Sequence, residues 1–353
     1  MTKAVWYTRC PVPTAFSIAI RTGRIQAALA GLGASAHSLL ESKDPAVRQS
    51  HFDQTLSAFF RQGGNTPPIF SRARGKDVRV IGLSDNPSLR VILVRPDSDI
   101  TTLADLRGKR ISIPVRRNDP TDFWRTTVLR GFVDVLGSAG IDLAETLETQ
   151  ILIDRSYVSG SRSSGGADDS LWDGSFMLGH QREEALALIR GEVDAIYSQG
   201  SIGTIVQAFT GARAIFASHD TDAWVNNDAP LPLTVTGELL DERPDIVDAW
   251  LEETIIASQW AAGNALEAKR IIAGETGLAE DLVDAAFTGT IHERLDLDLS
   301  EGRVAKLQSQ HDHLLTHGFI DAPVDFGAFI DHGPLRRVSE RLDAAPARLR
   351  ASA

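Results

Sequence analysis

The sequence predicts an α/β protein of two domains with mostly parallel sheets. Three observations carry that reading. Short β-rich runs alternate with helical stretches along most of the chain, which is the pattern of strands joined by crossover helices. The chain has 353 residues, and at roughly 100–200 residues per domain two are expected. It is 42% hydrophobic and 24% charged, so a core of useful size can form.

In chain order, Ala4-Val5-Trp6-Tyr7 reads as a strand that ends before Cys10-Pro11-Val12-Pro13. Pro11 holds Cys10 extended, and Pro13 suits the first turn of a helix, where its missing N–H would be unpaired anyway. Val78 to Gly82 and Arg90 to Val94 are strands. Thr102 to Arg110 reads as a short helix stopped by Gly108, with Ile111 to Ile113 as the next strand. Phe123, Val128, Phe132, Val135 and Leu136 have helical spacing. Thr149 to Ile153 is a strand. Ser159 to Gly174 is rich in Gly, Ser and Asp and reads as a long surface loop. Glu183 to Ile189 is a helix stopped near Gly191, and Val193 to Tyr197 is a strand. Beyond Glu242 the chain is mostly helical, entered at Arg243-Pro244-Asp245.

The net charge is −11, which excludes an electrostatic nucleic-acid binder. No run of about 18 apolar residues is present, so no membrane insertion is expected. A single cysteine forbids an internal disulfide and gives no zinc spacing. His311, His313 and His317 sit on what reads as an exposed helix without a placed acidic ligand, so no metal is expected. The glycines at 160, 165 and 166 do not follow a dinucleotide pattern, so no organic cofactor is expected either. The opening residues lack the apolar stretch of a secretory signal; a cytoplasmic protein, and a monomer, are the expectations.

The chemistry concentrates near the N-terminus. Cys10 stands after a strand, at the edge where ligands collect in open α/β sheets, with Arg9, Arg61 and His51 as candidate cations near its thiol. His51 is able to orient or deprotonate a thiol. Arg61 offers a rigid fork to an oxyanion, and Gly63 and Gly64 allow close backbone approach with N–H groups aimed at the same anion. Each residue also has an ordinary reading. A free cysteine is commonly a small buried hydrophobe, a lone histidine a satisfied core group, and Arg61 the start of a plain turn.

Two segments, Leu103-Ala104-Asp105-Leu106-Arg107-Gly108-Lys109-Arg110-Ile111 and Ala185-Leu186-Ala187-Leu188-Ile189-Arg190-Gly191-Glu192-Val193-Asp194-Ala195-Ile196, resemble the type II periplasmic-binding-protein family, especially its sulfonate, taurine and thiamine-precursor branch. That resemblance implies a two-lobed α/β fold with a ligand cleft between lobes. The first lobe would be discontinuous, residues 1–112 and 217–353, and the second would span 113–216. Cys10-Pro11-Val12-Pro13, His51-Phe52, and Arg61 with Gly63-Gly64 and Pro67-Pro68 are similar to the hydroxybiphenyl sulfinate desulfinase family of bacterial dibenzothiophene desulfurisation. This second resemblance implies that Cys10, His51 and Arg61 form an active site. It also implies that the Gly64 N–H helps hold a sulfinate, and that Trp124 lines an aromatic pocket. The chain departs from that family at Arg9, Gln54, Leu56 and the loop from Ser159 to Gly174.

Two functions follow as expectations. One is a cysteine-dependent desulfinase that hydrolyses an aromatic sulfinate to the arene and sulfite without a cofactor, with Cys10 as either nucleophile or proton donor. The other is the solute-binding protein of an ABC importer for sulfonate, taurine or a related small anion.

Overall fold

The structure is a computed structural model, and it describes residues 2–85, 87–154, 179–220 and 230–344. The loop expected from Ser159 to Gly174 lies outside the described residues. The chain divides into two compact units. One comprises Met1–Asn86, Ala229–Thr276 and Thr290–Ala353, and the other Pro87–Asp228 and Gly277–Gly289.

The first unit begins with β1 (Lys3–Arg9), α1 (Ala15–Arg21), α2 (Arg24–Gly31), β2 (Ala34–Ser38), α3 (Pro45–Asp53), β3 (Phe59–Gln62), α4 (Thr66–Ala73) and β4 (Val78–Ser84). The second contains β5 (Arg90–Val94), β6 (Arg110–Arg116), α5 (Phe123–Ser138), β7 (Leu147–Ile153), α6 (Arg182–Ile189), β8 (Ala195–Gln199), α7 (Gly200–Thr210) and β9 (Arg213–Ala217). The chain returns through β10 (Leu231–Thr236), α8 (Gly237–Glu242), α9 (Pro244–Gly263) and α10 (Ala265–Thr276). It gives α11 (Val283–Ala286) to the second unit and ends in α12 (Glu301–Thr316), α13 (Phe326–Phe329) and α14 (Gly333–Ala344).

Both sheets share one plan. The strand orders are β2-β1-β3-β10-β4 and β7-β6-β8-β5-β9. In each, the fourth strand is antiparallel to both neighbours, β10 in the first and β5 in the second. The expected parallel character therefore holds with one reversed strand per sheet. That strand is in each case the first one the chain forms after crossing over from the other unit.

The alternation of side chains explains the cores. In β5, Ile92 and Val94 join the cluster under α5, while Val91 and Leu93 join the cluster under α6 and α7. A strand covered on both faces reads as a continuous apolar run, which is why Arg90 to Val94 was legible. The first sheet uses the same rule with a different outcome. Tyr7 of β1 and Phe60 of β3 turn to one face and meet Trp250 of α9, Phe60 stacking on it at 4.2 Å. Their neighbours Thr8 and Arg61 must face the other way, toward α3.

Several expectations need correction. The chain enters the second unit at Pro87, not near Ile113, because among the described residues β5 and β6 pair only with β7, β8 and β9. It re-enters the first at Ala229, not near Ala217. The helix expected over Thr102 to Arg110 is only a 3₁₀ turn, Leu103–Leu106, opened by a Thr102/Asp105 capping box. Pro13 precedes α1 instead of starting it; Thr14 is the N-cap, its hydroxyl accepting from the Ser17 N–H. His311 and His313 are buried in α12, where His311 Nε2 accepts from the Val324 N–H at 3.0 Å.

Candidate active site

The site grows out of the polar face of the first sheet. Thr8, Arg61 and Thr234 lie side by side on β1, β3 and β10. Cys10, two residues beyond Thr8, continues the same face past the end of β1; its N–H still bonds to Gln62 O at 3.0 Å. Above this row runs α3. Asp44 caps its start, accepting from the Ala46 N–H, and Pro45 occupies its first turn. Its last turn carries His51, and it ends at Gln54, the only non-glycine residue with positive φ among the described residues (φ +50). Gln54 closes the helix by donating its N–H to Ser50 O and turns its side-chain oxygen to the Thr234 hydroxyl at 3.0 Å.

Arg61 is 1% exposed, and its fork explains how a guanidinium is tolerated there. A helix leaves its last carbonyls without intrahelical donors. Arg61 Nε donates to one of them, His51 O, at 3.0 Å, and Nη1 donates to Gly64 O at 2.8 Å. Nη2 is directed at Cys10 Sγ, 3.6 Å away. No described carboxylate lies within ion-pair distance of Arg61. A buried cation lacking such a partner is costly unless an anion is supplied.

His51 is 3% exposed. Its Nδ1 is 2.9 Å from Thr8 Oγ1 and its Nε2 3.9 Å from Cys10 Sγ. Two influences oppose each other on this ring. The C-terminal end of a helix favours an imidazolium, by up to about 2 kcal/mol. Full burial disfavours it. Burial wins, aided by the nearby Arg61 charge, and His51 is held well below the usual histidine range. The ring is neutral.

Cys10, Arg61 and His51 thus converge within the first unit, and Cys10 is the partly exposed member. The two glycines differ. Gly63 has φ +152, and a Cβ there would come within 2.6 Å of Cys10 Cβ and closer still to its sulfur. Gly64 faces open space, and its N–H bonds to no described residue. Arg9 is not a cation for the thiol. Its guanidinium grips the Glu275 carboxylate through Nε at 2.5 Å and Nη2 at 2.8 Å. Trp124 belongs to the second unit and is 1% exposed in that unit's core, its indole N–H donating to Glu184 at 2.7 Å. Its ring is core packing in that unit. Thr8 was not singled out in the sequence, and Gln54 stood there only as a departure from the family, not as a member of the site. The signal for Thr8 was its position two residues before Cys10, hence on the same strand face.

No family model matches the chain. It is 28% identical over 343 residues to the curated 2'-hydroxybiphenyl-2-sulfinate desulfinase of Rhodococcus erythropolis, spanning 90% of this chain and 88% of the relative. The crystal structure of a Cys-to-Ser variant of DSZB in complex with biphenyl-2-sulfinic acid superposes with a TM-score of 0.75 at 24% identity, covering 97% of this chain and all of that one. A putative periplasmic sulfonate-binding protein SsuA from Methylobacillus flagellatus superposes with a TM-score of 0.69 at 16% identity, covering 97% and 95%. The fold is therefore the type II periplasmic-binding-protein-like one, and the resemblance drawn from the N-terminal residues extends over nearly the whole chain.

Proposed function

We propose that this protein is a desulfinase that cleaves the carbon–sulfur bond of an aromatic sulfinate, releasing the arene and sulfite. The observation that carries this reading is the sulfur of the partly exposed Cys10 with Arg61 Nη2 and His51 Nε2 at 3.6 and 3.9 Å. It is supported by whole-length similarity to a curated sulfinate desulfinase. Binding alone requires no such sulfur.

Overall, ArSO2⁻ and water give ArH and HSO3⁻. The buried charge of Arg61 and the free Gly64 N–H attract the sulfinate oxygens. The Cys10 thiolate attacks the sulfinate sulfur and forms an S–S bond. The C–S bond breaks, and its electron pair stays on the ring carbon, which takes up a proton. Water then attacks the sulfur of the Cys–S–SO2⁻ adduct. The S–S pair returns to Cys10, HSO3⁻ leaves, and the proton taken up earlier is returned. Every atom and charge is supplied by substrate, water and Cys10.

The test is sulfite release from a panel of aromatic sulfinates, with biphenyl-2-sulfinate as first member. Cys10→Ser abolishes release and keeps binding. Arg61→Gln weakens binding by about ten- to a hundredfold, the worth of one charged hydrogen bond at roughly 1.5–3 kcal/mol. A wild-type protein that binds sulfinates and releases no sulfite is a receptor and overturns the catalytic reading.

A further inference from the structure

The histidine beside the thiol has a second partner whose hydroxyl leaves little choice. Thr8 is buried, and Oγ1 makes one hydrogen bond among the described residues, to His51 Nδ1 at 2.9 Å. A hydroxyl has one proton to give. If Nδ1 carried the ring proton, Thr8 would accept it, and its own O–H would be left buried without an acceptor, which is unfavourable. If Thr8 donates to Nδ1, nothing is orphaned. A neutral imidazole then carries its proton on Nε2, the nitrogen that faces the sulfur.

We propose that Thr8 is a positioning residue that fixes His51 as the Nε2–H tautomer, so that His51 donates a hydrogen bond to the Cys10 sulfur instead of acting as its base. The inference rests on the desulfinase reading only for its kinetic consequence. A neutral ring with its proton on Nε2 has no lone pair toward the thiol. His51 Nε2 and Arg61 Nη2 become two N–H donors converging on one sulfur. Both stabilise negative charge there when the thiolate forms and again when sulfite leaves. In cysteine enzymes that deprotonate the thiol by a neighbouring imidazole, the nitrogen facing sulfur must be free to accept; here the arrangement on the far side of the ring forbids it.

The tautomer can be read directly. Long-range ¹H–¹⁵N correlations of ¹⁵N-histidine-labelled protein near neutral pH, assigned by loss of the signal in His51→Gln, are expected to show a neutral ring protonated on Nε2. Thr8→Ser keeps that pattern. Thr8→Val removes the hydroxyl while preserving the branched shape, and shifts the ring toward the Nδ1–H form. In sulfite release, Thr8→Val lowers kcat by about tenfold or more, the loss expected when one hydrogen bond to a charged sulfur is removed, with KM changed far less; Thr8→Ser restores it. A wild-type ring protonated on Nδ1, or on both nitrogens, overturns the proposal. So does a Thr8→Val protein whose tautomer is unchanged. If Thr8→Val does not fold, the wild-type and Thr8→Ser spectra decide alone. The spectra report on the resting protein, so a wrong tautomer and a wrong reaction are told apart.

Discussion

Gly63 cannot carry a side chain where it stands. Its φ of +152 is unfavourable for other residues, and the space a Cβ would need is held by Cys10. Gly63→Ala must push Cys10 off its place or move the turn. We expect a stability loss of about 1–3 kcal/mol, read by urea unfolding, with a loss of sulfite release larger than the stability change explains. Gly64→Ala meets no obstruction and stays within about 0.5 kcal/mol of the parent. At this scale the sequence was readable where residue types announced chemistry. Cys10, His51 and Arg61 stood out once the family resemblance grouped them. Thr8 did not, because a threonine in a strand is ordinary until its partner is seen. Arg9 misled because charge alone is visible in sequence, whereas the carboxylate that neutralises it comes from Glu275, 266 residues away.

Among elements, the legible ones were those whose pattern matched their burial. α9 and α5 carry regular apolar faces, and β5 is apolar throughout. β3 was missed because a fully buried four-residue strand that includes Arg61 and Gln62 does not look like one. β10 was hidden by Pro232, which argues against an inner strand. It is tolerated because Pro232 lies opposite Leu83, whose N–H and C=O are both bonded to Asp298. The α5–β6–α6 region holds a further consequence. Glu184 of α6 is buried and accepts from Trp124 and Ser112. Burial pushes its carboxyl up to about 8, outweighing those donors and Arg116 nearby. From an unfolded value near 4.5 to a folded value of about 8, the folded state binds the extra proton. Stability is therefore full below the unfolded value and falls as pH rises through that window, by at most about 1.4 kcal/mol per unit. Denaturant midpoints taken between about pH 5 and 8 should show this slope, and Glu184→Gln, which mimics the protonated acid, should remove it.

For the molecule as a whole, the shared plan of the two sheets was only half visible. Alternating strands and helices gave away the α/β class. The reversed strands and the crossing points did not show, because both depend on pairing between residues far apart in sequence. The third segment of the first unit and the short piece around α11 were invisible for the same reason. A ligand that binds only the folded chain must stabilise it. Biphenyl-2-sulfinate added to Cys10→Ser protein at about a hundred times its Kd is expected to raise stability by about 2.7 kcal/mol. Thermal unfolding as a function of sulfinate concentration checks this; an unchanged midpoint means no such site is present.

The place of β10 in the first sheet also sets a timetable. A ribosome delivers β1, β3 and β4 early, yet β3 and β4 do not pair with each other; the slot between them is filled by residues 231–236. Thr234, which secures both Gln54 and the backbone of Arg61, arrives with that strand. The thiol, its imidazole and its guanidinium are thus made in the first fifth of translation, whereas Thr234 follows only after the second sheet's strands have all emerged. Completion of the sheet that carries Cys10 and Arg61 is tied to a late step in the birth of the chain.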